Sequence, residues 1–159
     1  MRLFNKKKIY LFDGSKGFML QKYGLQKGEL AESYNITHPD TVMRIYKEYC
    51  DAGSDIIQTN TLCSNRLVLK RHGLEELHDK INSQGIELAK QAIDGRNILI
   101  AASIGPIGEL LQPFGPLTFE YAYSLYKDQI YACRAADVIN FETFTDLKEM
   151  RIAYLANRE

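Results

Sequence analysis

The chain has 159 residues, of which 45% are hydrophobic, and this length suits one globular domain with an apolar core. Its 20 basic and 20 acidic residues give a formal net charge of zero, which argues against a nucleic-acid or anionic-membrane partner. A small neutral or zwitterionic ligand fits this balance better. The sequence has no signal peptide and no apolar run near the roughly 20 residues of a membrane span, so we expect a cytoplasmic protein without membrane contact.

Short aliphatic runs alternate with longer helical patterns along the chain, which is typical of a parallel βα fold. The predicted strands are Ile9–Phe12, Ile56–Thr59, Ile98–Ala102 and Val138–Phe141. Their starts recur about every 40 residues, close to the length of one βα unit. The spacing alone does not distinguish a closed (β/α)8 barrel from a doubly wound sheet.

Apolar residues at helical spacing predict the helices between and after these strands. The helical patterns are Val42–Tyr49 after Pro39, Leu74–Ala92 before Gly95, Phe119–Cys133 after the cap residue Thr118, and a final helix from about Asp146. No linker or second domain is apparent. We therefore expect about four βα units, with the open edges of their sheet covered by a partner.

Polar residues follow each predicted strand at its carboxyl end, where parallel α/β folds place their binding residues. They are Asp13, Gly14, Thr59, Asn60, Thr61, Ser103 and Glu142. This mixture of carboxylate, amide and hydroxyl groups suits an amino-acid ligand. Asp13 is explained equally well as a turn residue before Gly14. Glu142 follows an apolar strand and is costly to bury without a partner, so we expect it to meet an ammonium group of the ligand or the protein.

The three cysteines, Cys50, Cys63 and Cys133, are odd in number and widely spaced, which argues against a disulfide framework and a self-contained zinc knuckle. We place Cys50 and Cys133 at apolar helix positions in the core. Cys63 lies near the expected pocket, but we interpret it as a small loop residue rather than a metal ligand. His72 and His78 lack the H-E-x-x-H spacing of a metal site, so we interpret both as solvated surface.

Four blocks on consecutive predicted strands resemble, in order, those of the homocysteine S-methyltransferase family. They are Phe12–Gly17 (FDGSKG), Tyr49–Thr61 (YCDAGSDIIQTNT), Ile104–Glu109 (IGPIGE) and Phe141–Asp146 (FETFTD). The resemblance covers essentially the whole chain. It implies the N-terminal half, about four βα units, of a TIM-type (β/α)8 barrel. Residues 1–159 would then be a partial homocysteine-binding domain that is truncated after the fourth unit.

The resemblance also implies roles for the candidate residues. Homocysteine would be held by the loop at Asp13 and Gly14 and by Glu142, which pairs with its amino group. The remaining candidates, Thr59, Asn60, Thr61 and Ser103, would line the pocket. Family members bind the homocysteine sulfur to zinc through three cysteines from later strands, and no position here matches them. We therefore assign no metal ligand and no certain catalytic residue to this chain.

The sequence departs from the family pattern at two loops. Lys16 and Phe18 stand where relatives usually have a small residue and a threonine, and we expect Phe18 either to narrow the pocket or to pack beneath it. Ser103 ends the third predicted strand where relatives often have an acidic residue. These departures predict altered polar contacts to the substrate.

Two functions remain open. In the first, the chain is part of a homocysteine S-methyltransferase; it is not catalytically competent alone and is completed by the missing half-barrel or a second copy. In the second, it is a non-catalytic relative that binds homocysteine weakly or serves in assembly. As methyl donor we favour methylcobalamin fed by methyltetrahydrofolate, with the cobalamin held by another domain, because the blocks look most similar to the cobalamin-dependent methionine synthases of the family. S-methylmethionine and betaine are the alternatives. A generic flavodoxin-like or Rossmann-type domain would not explain the ordered blocks.

Overall fold

The computed structural model describes residue 4 and residues 7–158. Within that part, a parallel sheet has the strand order β1-β2-β3, with β1 at Ile56–Gln58, β2 at Leu99–Ile104 and β3 at Val138–Phe141. The register pairs Gln58 with Ala101 and Ser103 with Asn140. This register brings the carboxyl ends of all three strands to one edge of the sheet.

The helices follow the strands in βα order. They are α1 (Lys16–Lys22), α2 (Tyr34–Thr37), α3 (Pro39–Asp51), α4 (Arg66–Arg71), α5 (His78–Ile93), α6 (Phe119–Ala132) and α7 (Leu147–Ala156), with 3-10 turns at Ala31–Ser33 and Glu75–Leu77. Alternate strand residues such as Ile57, Ile100 and Ala102 join the apolar helix faces in one buried core. No helix in the described part of the chain is long and apolar enough to cross a membrane.

The predicted helix signals are confirmed at three helix ends. Thr118 begins α6, and its Oγ1 accepts the Tyr121 N–H at 3.2 Å. Asp146 caps the start of α7 in the same way. Helix α5 stops where Asp94 and Gly95 take left-handed conformations, with φ of 46° and 74°. The Thr118 and Asp146 caps lie where the loops that follow β2 and β3 enter α6 and α7, on the carboxyl side of the sheet.

The predicted first strand, Ile9–Phe12, is only partly formed. Phe12 makes a single parallel bridge to Ile56, and the Leu11 carbonyl accepts the Ile56 N–H at 3.1 Å. The Leu11 N–H is taken by the Asp55 carboxylate at 3.1 Å, so a side chain replaces a ladder bond there. The segment therefore lies beside β1, as expected for a first strand, but three strands rather than four are complete in the described residues.

The buried side chains confirm the cysteine predictions and correct one for histidine. Cys50 and Cys133 are buried in the core. His72 is exposed as predicted, but His78 is fully buried, so its assignment to the surface was wrong. The reason is helical geometry, since His78 shares a face of α5 with the buried Asn82, whose amide donates to the His78 carbonyl at 2.9 Å.

Candidate functional site

A cavity of about 650 Å³ opens at the carboxyl end of the sheet. Its lining includes the predicted residues Asp13, Gly14, Thr59, Asn60, Ser103 and Glu142. Thr61 is the exception, because it lies buried beside the cavity and is not part of its lining. The Thr61 hydroxyl donates to the Ser103 carbonyl at 2.8 Å and thereby supports the residues that do line the cavity.

Glu142 directly follows β3, and its N–H extends the ladder by donating to the Ile104 carbonyl at 3.1 Å. Its carboxylate accepts the side-chain amide of Gln58 on Oε1 at 2.6 Å and the Ser103 hydroxyl on the same oxygen. No donor among the described residues contacts Oε2. The protein thus positions this carboxylate with neutral donors, and the expected ammonium partner is not among its own hydrogen bonds.

Asp13 has a fully buried carboxylate, with 0% of its side chain exposed. Its Oδ2 accepts Lys16 Nζ at 2.5 Å and the Gln58 N–H at 3.0 Å, whereas Oδ1 has no hydrogen-bond partner in the described structure. Burial raises the pKa of Asp13 and lowers the pKa of Lys16, because each charged group loses its hydration. The ion pair opposes both shifts and keeps the two side chains together.

Gln58 and Glu32 also line the cavity, and neither was predicted from the sequence. Gln58 connects Asp13 through its backbone to Glu142 through its side chain. Its position at the end of a strand, next to the predicted Thr59, could have identified it. Glu32 is also buried in the lining, where it accepts the Cys63 N–H at 2.7 Å, and burial raises its pKa. Glu32 lies in a short 3-10 turn, so no periodic pattern marks it.

Gly14 allows a close approach of the loop to α3. A Cβ added at Gly14 would lie 2.9 Å from the Tyr49 hydroxyl, which donates to the Ser15 carbonyl at 3.1 Å. This contact holds the loop that presents Asp13 and Lys16 to the cavity. Phe18 was expected to narrow the pocket or pack beneath it, but it is 66% exposed outside the lining, so that prediction was wrong.

A buried polar network fixes the wall of the cavity at the end of β1. The Asn60 N–H donates to the Tyr46 hydroxyl at 2.6 Å, and its side-chain amide donates to Asn35 Oδ1 at 3.0 Å. The Asn35 amide in turn donates to the Asn60 carbonyl at 2.8 Å. Because these buried groups satisfy one another, the backbone that follows β1 is held in one position.

The described residues do not fit a zinc site. No group of three or more His, Cys, Asp or Glu side chains in that part of the chain could hold a metal ion. Cys63 lines the cavity, but burial and the nearby Glu32 raise the pKa of its thiol to about 12, which disfavours the thiolate that zinc binds. The described residues that line the cavity therefore include no metal-binding set.

Comparison with known proteins gives a consistent result. A family model described as homocysteine S-methyltransferase matches residues 10–159. A methionine synthase from Mycobacterium tuberculosis is 26% identical over 164 residues, a match that covers 95% of this chain but 14% of that protein. The chain is thus similar in sequence to a small part of a much longer relative.

Solved structures with the same fold include those of the homocysteine methyltransferase MmuM from Escherichia coli. The metallated form has a TM-score of 0.83 at 19% identity and covers 95% of this chain and 59% of MmuM. The oxidised form has a TM-score of 0.80 at 19% identity and covers 93% and 57%. The chain therefore spans less than two thirds of the MmuM chain.

Proposed function

Because the chain belongs to the homocysteine S-methyltransferase family, we propose that it supplies the homocysteine-binding part of an enzyme that methylates the homocysteine sulfur to give methionine. The chain spans 14% of the methionine synthase and 59% of MmuM, so this activity would belong to a larger assembly. In that assembly it would form the N-terminal half, about four βα units, of a (β/α)8 barrel. The segment 9–12 would take the place of its first strand.

The hydrogen-bonding pattern of the Glu142 carboxylate is the observation that supports this proposal. Both hydrogen bonds that described residues make to this carboxylate reach Oε1, which leaves Oε2 for a ligand. An ammonium group there would gain a charge-assisted hydrogen bond. Asp13, on the opposite side of Gln58, forms an ion pair with Lys16, so the cavity lining carries charges of both signs. Thr59, Asn60 and Ser103 would complete the pocket wall, with Thr61 supporting it from behind.

Methyl transfer would need zinc ligands and a methyl donor from outside the described residues. Zinc, where it is bound in this family, lowers the pKa of the homocysteine thiol so that the thiolate can attack the methyl donor. We propose that its cysteine ligands come from the missing half-barrel or from a second copy. The methyl donor would be methylcobalamin fed by methyltetrahydrofolate, with S-methylmethionine and betaine as alternatives.

A second candidate is a non-catalytic relative that binds homocysteine or serves in assembly. The observation that favours it is the lack of a metal-binding group among the described side chains. The two candidates share the amino-acid site and differ in whether zinc strengthens binding once the remaining half of a barrel is supplied. If an added C-terminal half from a relative restores zinc-dependent methyl transfer, the enzymatic function is supported.

The amino-acid site is tested by calorimetric titration of the chain with L-homocysteine. We expect Glu142→Gln to weaken binding about ten-fold or more, because it replaces a charged acceptor with a neutral one. Glu87→Gln is the matched control, since Glu87 lies on α5 and pairs only with the exposed Lys90 among the described residues. Equal affinity of Glu142→Gln and the unmodified chain would contradict the proposal.

A further inference from the structure

We propose that Lys16 binds the carboxylate of the ligand and so makes the site specific for an α-amino acid rather than a simple amine. This inference rests on the proposed function and deepens it by identifying the group that recognises the second charge of the ligand. Among the described residues that line the cavity, Lys16 has the one basic side chain, whereas Asp13, Glu32 and Glu142 have carboxyl groups.

The hydrogen bonds of Lys16 leave it able to take such a ligand. Its ammonium group has three N–H donors. Within the described part of the chain, its hydrogen bond goes to Asp13 Oδ2 at 2.5 Å. The side chain is 12% exposed and borders the cavity, so the remaining donors are largely removed from bulk water. Donors in such a place gain most from an anionic acceptor.

The charges around the cavity explain why a ligand carboxylate needs this lysine. Glu142 attracts an ammonium group, but it repels a carboxylate that enters the same space. Lys16 offsets that repulsion at one end of the cavity. Gln58 donates to Asp13 and to Glu142, so the cationic and anionic ends lie within the reach of one residue. Lys16 and Glu142 also interact electrostatically. An α-amino acid carries an ammonium and a carboxylate on a single carbon, and so offers one opposite charge to each of them.

Lys16 is also held in place before any ligand arrives. Asp13 fixes its ammonium group, and the Tyr49 ring centroid lies 5.8 Å from Nζ. Tyr49 packs against Gly14 and bonds the Ser15 carbonyl, which fixes the backbone on which Lys16 stands. A cation held in this way loses little conformational freedom on binding, which favours affinity.

The test compares L-homocysteine with homocysteamine, which has the same thiol and amine but lacks the carboxylate. Affinities are measured by calorimetry for the unmodified chain, Lys16→Met and Lys16→Arg. We expect the unmodified chain to prefer L-homocysteine by about ten-fold or more. Lys16→Met should lose this preference by weakening L-homocysteine alone, and Lys16→Arg should keep most of it because the positive charge remains.

Lys16→Met leaves the buried Asp13 without its counterion and could unfold the chain, so a measurement on the unmodified chain is also needed. In lysine-labelled protein, the Nζ resonance of Lys16, assigned with Lys16→Arg, should shift with L-homocysteine and not with homocysteamine. Equal shifts, equal affinities, or tighter binding of both ligands by Lys16→Met would overturn the role of Lys16 and leave the proposed function standing. If neither the unmodified chain nor any variant binds L-homocysteine, the role of Lys16 and the proposed function are both overturned.

Discussion

Gly14 shows how one missing methyl group shapes the candidate site. An alanine Cβ at this position would lie 2.9 Å from the Tyr49 hydroxyl and 3.1 Å from its ring. Overpacking of this kind typically costs about 1–3 kcal/mol. We therefore expect Gly14→Ala to lower the free energy of unfolding by that amount, measured by urea denaturation, and to weaken L-homocysteine binding because the Asp13 loop must move.

Gly17 provides the matched control for this substitution. It lies three residues further along the same loop and helix, but an added Cβ there meets no atom within 4 Å. Gly17→Ala should therefore leave the unfolding free energy unchanged or raise it by up to about 1 kcal/mol through helix propensity. A comparable loss of stability in both variants would show that steric contact with Tyr49 is not the cause.

We expect His78 to make the stability of the protein depend on pH. Burial lowers its pKa from the ordinary value of 6.5, and Nε2 has no hydrogen-bond partner in the described structure. The unfolded chain therefore binds a proton more readily than the folded one. The stabilising contribution of neutral His78 is complete above pH 6.5 and is lost as the pH falls through the lower folded-state pKa.

The prediction for His78 is a difference between two stability profiles. Between pH 6.5 and about 5.5, the unmodified chain should lose up to about 1 kcal/mol more unfolding free energy than His78→Gln, which cannot titrate there. Urea denaturation of both proteins at several pH values measures this difference, and parallel profiles would contradict the assignment.

At the scale of the elements, α6 depends on its first turn. Thr118 Oγ1 accepts the Tyr121 N–H at 3.2 Å and satisfies one of the free amides at the helix start. Thr118→Ala should lower the unfolding free energy by about 1 kcal/mol, measured by urea denaturation with circular dichroism. Thr118→Ser retains the hydroxyl and should lose much less, so an equal loss in both variants would assign the effect to the threonine methyl group.

The elements that could be predicted from the sequence are those with a strong repeating pattern. The apolar run Val138–Phe141 is observed as β3 with the same bounds, and the apolar stripe after Pro39 is observed as α3. The short helices α1, α2 and α4 were missed, because seven, four and six residues are too few to show helical periodicity.

Some of the cavity residues could be predicted from the sequence and others could not. Asp13, Ser103 and Glu142 could be identified because strand ends are marked by a change from apolar to polar residues. Glu32 could not, because it reaches the cavity through the packing of a short turn. The exposure of Phe18 and the burial of His78 also depend on tertiary packing that no local pattern records.

At the scale of the whole molecule, the sheet formed by the described residues has two open edges. Within the described residues β3 pairs only with β2, and on the other side Ile9 is 85% exposed beside the partly formed first strand. Open edges with exposed apolar residues favour association with another chain. We expect the purified chain to self-associate in a concentration-dependent manner, as measured by sedimentation equilibrium.

A lysine at the edge should reduce this association, since charged residues protect natural edge strands. We expect Ile9→Lys to shift the equilibrium toward the monomer. Phe114→Lys is the matched control, because Phe114 is also 85% exposed but lies in the loop between β2 and α6. If both substitutions reduce association equally, general surface hydrophobicity rather than the sheet edge drives it.

The cavity also joins parts of the chain that are far apart in sequence, as in the bond between Gln58 and Glu142, which are 84 residues apart. The lining residues extend from Asp13 to Glu142, so the pocket exists only while most of the chain is folded. A ligand that binds there raises the melting temperature of the entire molecule. Conversely, a mutation that unfolds half of the population halves the apparent affinity even when it lies far from the ligand.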